Sequence, residues 1–270
     1  MTAAPSGRCT APTTLRATLL SLQHDVRPNH LQPAAELAER VLLPGDPARA
    51  LAVAQALLEP TPRMFNHARG LWGYTGIAAD GEPLTVQATG MGGPSAAIVT
   101  EELIALGATR LVHIGTCGAL DPDLELGALL AAETVLPADG TSAALGADAP
   151  LEPDPELLAG LVEAGARPVT VVSSDLFYDP RTEATASWVD RGAVAVEMEA
   201  ATILQVAARR GVAAACVLGV SDVAVVGQPA GGARGAAMPS SNGSERMSKD
   251  ELAELGVRLG LAGYAAVRSR

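Results

Sequence analysis

The feature that most limits the fold of this chain is a set of short, nearly unbroken apolar runs, several stopping at glycine or at a serine–aspartate pair. Arg110–Ile114 runs into Gly115-Thr116-Cys117-Gly118, Ala213–Val220 runs into Ser221-Asp222, and Arg40–Leu43 runs into Pro44-Gly45-Asp46-Pro47. Ala128–Val135, Val169–Ser173 and Ala193–Val196 are of the same kind. A strand wetted on one side alternates apolar with polar residues, whereas one buried on both sides reads as a continuous apolar run. Between these runs lie segments with apolar residues at helical spacing: Ala48–Leu58, closed by Pro60 and Pro62, then a stretch opened by Pro94. Pro155–Ala164, Met198–Arg210 and about Lys249 to Arg268 complete the helical set. Leu71–Ala79 and Pro83–Thr89, joined by Asp80-Gly81, predict a hairpin. Strands alternating with helices predict an α/β fold whose sheet is covered on both faces.

Composition narrows the function. Aromatic residues are only 3%, so alanine, valine and leucine must fill the core. The formal net charge is −11 and Lys249 is the single lysine, so nucleic acid and anionic membranes would be repelled. An anion held by such a chain is captured locally, by a few arginines and backbone N–H groups. Cys9, Cys117 and Cys216 are widely spaced and lack a CxxC pair, which predicts reduced thiols in a cytoplasmic protein. The apolar patch Leu15–Leu22 is interrupted by Arg16 and Thr18 and has no cleavage signature, so no signal peptide is expected. No apolar run approaches the length of a membrane span. Residues 1–26 read as a loosely ordered extension and 27–270 as one domain. Within it, Gly227–Met247 is rich in glycine, alanine, proline and serine and reads as a flexible loop, either a lid or an insertion without a task.

In wound α/β sheets, ligands sit where strands deliver their carboxyl ends. Those ends here carry Gly45-Asp46, Gly90-Met91-Gly92-Gly93, Gly115-Thr116-Cys117-Gly118 and Ser221-Asp222. Together they favour a phosphate or sugar pocket, although none is a Walker loop or a GxGxxG fingerprint. Glu197 and Glu199 enter an apolar strand-to-helix junction, where a ligand, a cation or the helix N-terminus must support them. Asp222 reads either as a general acid raised by burial or as a turn cap.

The motifs in order make a resemblance. Val41–Arg49, Asn66–Gly76, Gly90–Ser95, Gly115–Gly118, Ser174–Tyr178, Val196–Ala200 and Val220–Asp222 resemble bacterial nucleoside phosphorylases of the purine/uridine phosphorylase superfamily. The likeness implies a three-layer α/β/α domain around a mixed, partly barrel-like sheet, in a homo-hexamer built as a trimer of dimers. It implies reversible phosphorolysis of a nucleoside to free base and α-pentose 1-phosphate, with inorganic phosphate as co-substrate and neither metal nor organic cofactor. Gly45, Arg49 and Thr116 match phosphate-binding positions, and Arg69 matches an arginine lent by the neighbouring subunit. His30 matches a histidine lent across the same interface to the ribose, which Met198 and Glu199 also contact. Phe177, Glu197 and Ser221 fall on the base side, with Asp222 as the acid that protonates purine N7.

Two departures accompany the likeness. His113 stands where relatives carry an arginine on the phosphate; either it is protonated and replaces part of that charge, or it is a histidine satisfied by backbone at a strand end. The family arginine that swings towards the catalytic aspartate lies on a helix after the loop, which points to Arg246, with Arg234 as second choice. Ser221-Asp222 is the purine-type pair, and the uracil-reading stretch of the uridine branch is missing between Ser173 and Glu197. The expected function is therefore a purine nucleoside phosphorylase. Uridine phosphorolysis, a nucleosidase or phosphorylase for a modified nucleoside, and a non-catalytic nucleoside binder are the alternatives.

Overall fold

The first strand, β1 (Arg40–Leu43), is buried along its whole length, as its apolar run requires. It leads through Pro44-Gly45 into α1 (Pro47–Leu57), started by Pro47 and by the Asp46 carboxylate, which accepts from the Ala48 N–H. The computed structural model describes residues 27–224 and 244–268. After α1 the chain forms β2 (Leu58–Asn66), β3 (Gly73–Ala78), β4 (Pro83–Gln87), α2 (Gly93–Ala105), β5 (Arg110–Ala119) and β6 (Leu129–Ala138). It continues through α3 (Gly140–Ala144), α4 (Pro155–Glu163), β7 (Arg167–Ser174), α5 (Thr182–Asp190), β8 (Ala195–Glu197) and α6 (Ala200–Arg210). The last elements are β9 (Ala213–Ala224), β10 (Ser244–Arg246) and α7 (Lys249–Val267).

The sheet runs β10-β9-β6-β7-β8-β5-β1-β4-β3-β2, and an additional β9–β5 pairing closes five of its strands into a ring. Parallel pairs (among them β5–β9, β6–β7, β7–β8 and β1–β5) occur together with antiparallel ones (among them β6–β9 and β5–β8), so the sheet is mixed and partly a barrel. Helices cover it as expected. Val41, Leu43, Leu111, Ala214 and Cys216 pack with Ala96, Val99 and Leu103 of α2 and Ile203 of α6. The alternate residues Leu42, Val112, Ile114, Ala215 and Val217 pack with Val53 of α1, Leu157 of α4 and Leu255 and Leu259 of α7. Successive side chains of a strand point to opposite faces, so two cores share these strands. α7 lies close to both the sheet and α1: a Cβ at Gly263 would sit 2.8 Å from Ile114 Cγ2 of β5, and one at Gly256 would sit 3.0 Å from Arg49 Cγ of α1.

Several expectations need correction. Pro60 and Pro62 do not merely end a helix; they lie in β2, the terminal strand of the sheet, where a residue without an N–H is tolerated. β5 does not break at Gly115-Thr116-Cys117-Gly118 but runs on to Ala119, because β9 keeps pairing with it and β8 replaces β1 on its other side. Arg246 is not on a helix: it lies in β10, opposite Asp222 of β9. The extension 1–26, residues 227–243 of the loop, and Arg234 lie outside the described residues. Among the described residues, no helix is long and apolar enough to cross a membrane.

Candidate active site

β5 leaves β1 after His113 and joins β8 at Gly118, so a gap opens between the carboxyl ends of β1 and β4 and the β8–α6 junction. A cavity of 520 Å³ occupies it. Its lining brings together Gly45, Arg49, His113, Thr116, Phe177, Glu197, Met198, Glu199, Ser221 and Asp222, ten of the thirteen residues selected from sequence. The other three lie elsewhere. Arg69 is exposed in a short 3-10 turn (Ala68–Gly70) with φ +60°, a left-handed conformation rare for a residue with a side chain. His30 is half-buried, its ring Nδ1 2.6 Å from Glu102 Oε1. Arg246 stacks its guanidinium 6.0 Å from the centre of the Phe177 ring, at the edge of the cavity.

One end of the cavity is glycine-rich. The Gly90 N–H donates to the Gly45 carbonyl at 3.1 Å, and α2 starts at Gly92 with φ +81°, where a side chain would be strained. Arg49, from the first turns of α1, donates to the Ile114 carbonyl at 3.2 Å. Burial lowers its pKa, opposed by the carboxylates of Asp46 and Glu199. Thr116 of β5, half-buried, lines the same cavity. His113 is 1% exposed. Its Nδ1 is 2.8 Å from the Leu43 carbonyl, while Nε2 has no hydrogen-bond partner. Burial, with Arg49 nearby, drives the His113 pKa down to about 4, against the pull of the Leu43 carbonyl. Of the two readings of His113, the Leu43 contact matches a ring satisfied by backbone at a strand end; a protonated ring standing in for an arginine is disfavoured, because a desolvated cation is costly there.

The β8–α6 junction holds the two glutamates in unlike settings. Glu197, at the end of β8, is buried; it accepts from the Ser173 hydroxyl and from the N–H groups of Glu199 and Ala200, both at 2.8 Å. Glu199 turns into the cavity and accepts from the Gly92 N–H. Burial, then the neighbouring Glu197, raises the Glu199 pKa to about 8, while Gly92, Met198 and Arg49 oppose it. Burial also raises Glu197. Ser173 was not selected from sequence, although it ends an apolar run with a hydroxyl, the signal that would have marked it.

At the far end, Asp222 is 7% exposed. Its Oδ2 accepts from the Ser221 hydroxyl at 2.9 Å and its Oδ1 has no hydrogen-bond partner. Burial raises the Asp222 pKa, and the Ser221 hydroxyl and Arg246 only partly offset this. A shift in that direction favours the protonated carboxyl, the form that can donate a proton. Cys117 is buried with its pKa pushed up by desolvation, so it is not an activated nucleophile. Glu102 is a second residue that sequence reasoning passed over. It accepts from the backbone N–H groups of His30 and Leu31, at 3.0 and 2.7 Å, and from the His30 ring.

The phosphorylase superfamily profile matches residues 39–247, which include every lining residue of the cavity. The "Purine nucleoside phosphorylase DeoD-type" of Caldanaerobacter subterraneus subsp. tengcongensis is 38% identical over 206 residues, covering 72% of this chain and 86% of that protein. The protein of the same name from Geobacillus kaustophilus is 37% identical, over 72% and 84%. That from Clostridium novyi is 35% identical, over 72% and 86%. A closed, mixed sheet, a glycine-lined cavity at its strand ends and relatives matched over most of their length agree: the chain belongs to the phosphorylase superfamily and is an enzyme of the pentosyltransferase kind.

Proposed function

We propose that the protein catalyses reversible phosphorolysis of purine ribo- and deoxyribonucleosides, giving the free base and α-pentose 1-phosphate. The observation that carries this reading is one cavity with two chemically opposite ends, an anion-friendly glycine end beside Arg49 and a raised carboxyl at Asp222. The names of the relatives supply the purine.

Inorganic phosphate binds against Gly45, Arg49 and Thr116, close to His113. Arg69 from a neighbouring subunit completes its charge, which explains why that side chain stands exposed and away from its own cavity. The ribose lies across Met198, with its 2′ and 3′ hydroxyls on Glu199. His30 of the same neighbour takes the 5′ hydroxyl, its ring oriented by Glu102. The purine packs on Phe177 and reaches Glu197 and Ser221 at its edge. Cleavage of the C1′–N9 bond sends its electron pair to the base while positive charge grows on the sugar, which phosphate stabilises. The Asp222 carboxyl transfers its proton to purine N7, and a phosphate oxygen bonds C1′ from the opposite face. Arg246, over the Phe177 ring and opposite Asp222, is placed to stabilise the carboxylate left behind. The assembly is a homo-hexamer, a trimer of dimers with sites shared across the dimer interface, working in the cytoplasm.

Base release from inosine, adenosine and uridine, measured with and without phosphate, tests the reading. Release from the purines that depends on phosphate is expected; equal release in phosphate-free buffer would overturn it. Neutral His113 favours one rival, a nucleosidase in which water replaces phosphate. The phosphate-free arm of the same assay identifies it.

A further inference from the structure

The cavity contains a polar atom that phosphorolysis leaves unused. Because a carbonyl only accepts, the bond to Leu43 puts the His113 proton on Nδ1 and leaves a lone pair on Nε2. That lone pair faces Glu199 Oε2 at 3.9 Å and Glu197 Oε2 at 4.0 Å. The three ligand atoms lie within 4.8 Å of one another. Of the three, His113 Nε2 is the buried atom without a hydrogen-bond partner, and a cation held between it and the two carboxyl groups would give that lone pair one.

We propose that His113, Glu197 and Glu199 bind one divalent first-row transition-metal ion, of which zinc is the type, and that the ion competes with the nucleoside at Glu199. An imidazole with two carboxylates is a donor set suited to such ions. Zinc bonds of about 2.0–2.2 Å set tetrahedral ligands roughly 3.4 Å apart, so the two His113 legs shorten by about half an ångström and the leg between the glutamates by up to about 1.4 Å. A direct hydrogen bond does not span 3.9 Å, so a shared proton does not satisfy the pair as it stands. The supporting groups are already built. A ligating histidine usually donates its other N–H to a carbonyl, as His113 does to Leu43, and ligating carboxylates are themselves hydrogen-bonded. Ser173, Glu199 N–H and Ala200 N–H hold Glu197, and Gly92 N–H holds Glu199. Gly115 keeps the ring in place, since a Cβ there would sit 2.5 Å from His113 Nε2. All three ligands line the cavity, which gives the ion its path. An arginine at position 113 would fill the site with its own cation; the imidazole converts the position into a ligand.

The competition clause rests on Glu199 as the ribose contact, whereas metal binding stands without it. The test titrates chelator-stripped full-length protein with Zn²⁺ by calorimetry and with Co²⁺ by visible absorption. One ion per chain is expected, with ligand-field bands for Co²⁺. His113→Arg should weaken binding by more than about a hundredfold, beyond the 10–100-fold typical for losing a supporting group. Zn²⁺ should also raise the nucleoside KM several-fold in the wild-type enzyme. No ion bound by the wild-type chain, or binding as tight as wild type by His113→Arg and His113→Gln, would overturn the site; an unchanged nucleoside KM at saturating Zn²⁺ would overturn the competition. Phosphorolysis in metal-free buffer judges the proposed reaction separately.

Discussion

The two ends of the cavity share one signature and differ in what they do with it. At one end His113 Nε2, and at the other Asp222 Oδ1, is a buried polar atom without a hydrogen-bond partner. Burial pushes both groups towards neutrality, lowering the histidine to about 4 and raising the aspartate. Yet a neutral carboxyl gains a donor, whereas a neutral imidazole tied through Nδ1 to Leu43 keeps only an acceptor. In the proposed reaction, desolvation thus favours the proton-donating form of Asp222 at the base and removes His113 as a source of positive charge at the phosphate. On that proposal Arg49, half-buried in the cavity wall, carries the cationic charge that this chain itself presents to phosphate.

Substitutions can break that contrast. Asp222→Asn should give the largest effect: kcat on inosine falls by about 10²–10⁴-fold, the usual contribution of a general acid, while nucleoside binding changes little. Unchanged turnover would remove Asp222 from the chemistry. The next effect is on stability. The His113 pKa is lower in the folded chain than the ordinary 6.5, so its contribution is fully present above pH 6.5 and is lost as pH falls towards 4. Urea unfolding at pH 7 and pH 4 should show wild type losing about 3 kcal/mol relative to His113→Asn across that window. Parallel curves for the two proteins would contradict a neutral buried ring.

His113→Arg should lower the phosphate KM by about tenfold, as a charged donor replaces a lone pair. No change would place the ring outside the anion's reach. Ser221→Ala should have the smallest effect. The Ser221 hydroxyl holds the Asp222 pKa down, so its removal raises that pKa, and the acid form persists to higher pH. The alkaline limb of the kcat profile should therefore move upward, with little change on the acid side; a downward move would contradict the assignment.

Much of this arrangement was legible in the sequence, for physical reasons. Apolar runs such as Ala213–Val220 announce strands buried on both faces, and the glycine groups mark where backbone approaches a ligand. Closure of the ring was not legible from periodicity, because the β5–β9 pairing is non-local. β2 was hidden because two prolines read locally as a stop, whereas its place at the end of the sheet tolerates them. Arg246 was found by resemblance, but its strand was not, since Ser244–Arg246 has no apolar pattern and exists only by pairing with β9. The protonation state of His113 depends on Leu43, seventy residues away in the chain, and on burial that no motif reveals.

The central claim is that phosphate, seated beside Arg49 and Thr116, is the group that takes the sugar. Its most direct measurement is the yield of pentose 1-phosphate per purine released, followed with labelled inorganic phosphate. The account requires one labelled pentose 1-phosphate for every base; free ribose accumulating in step with the base, and no label in the sugar, would contradict it.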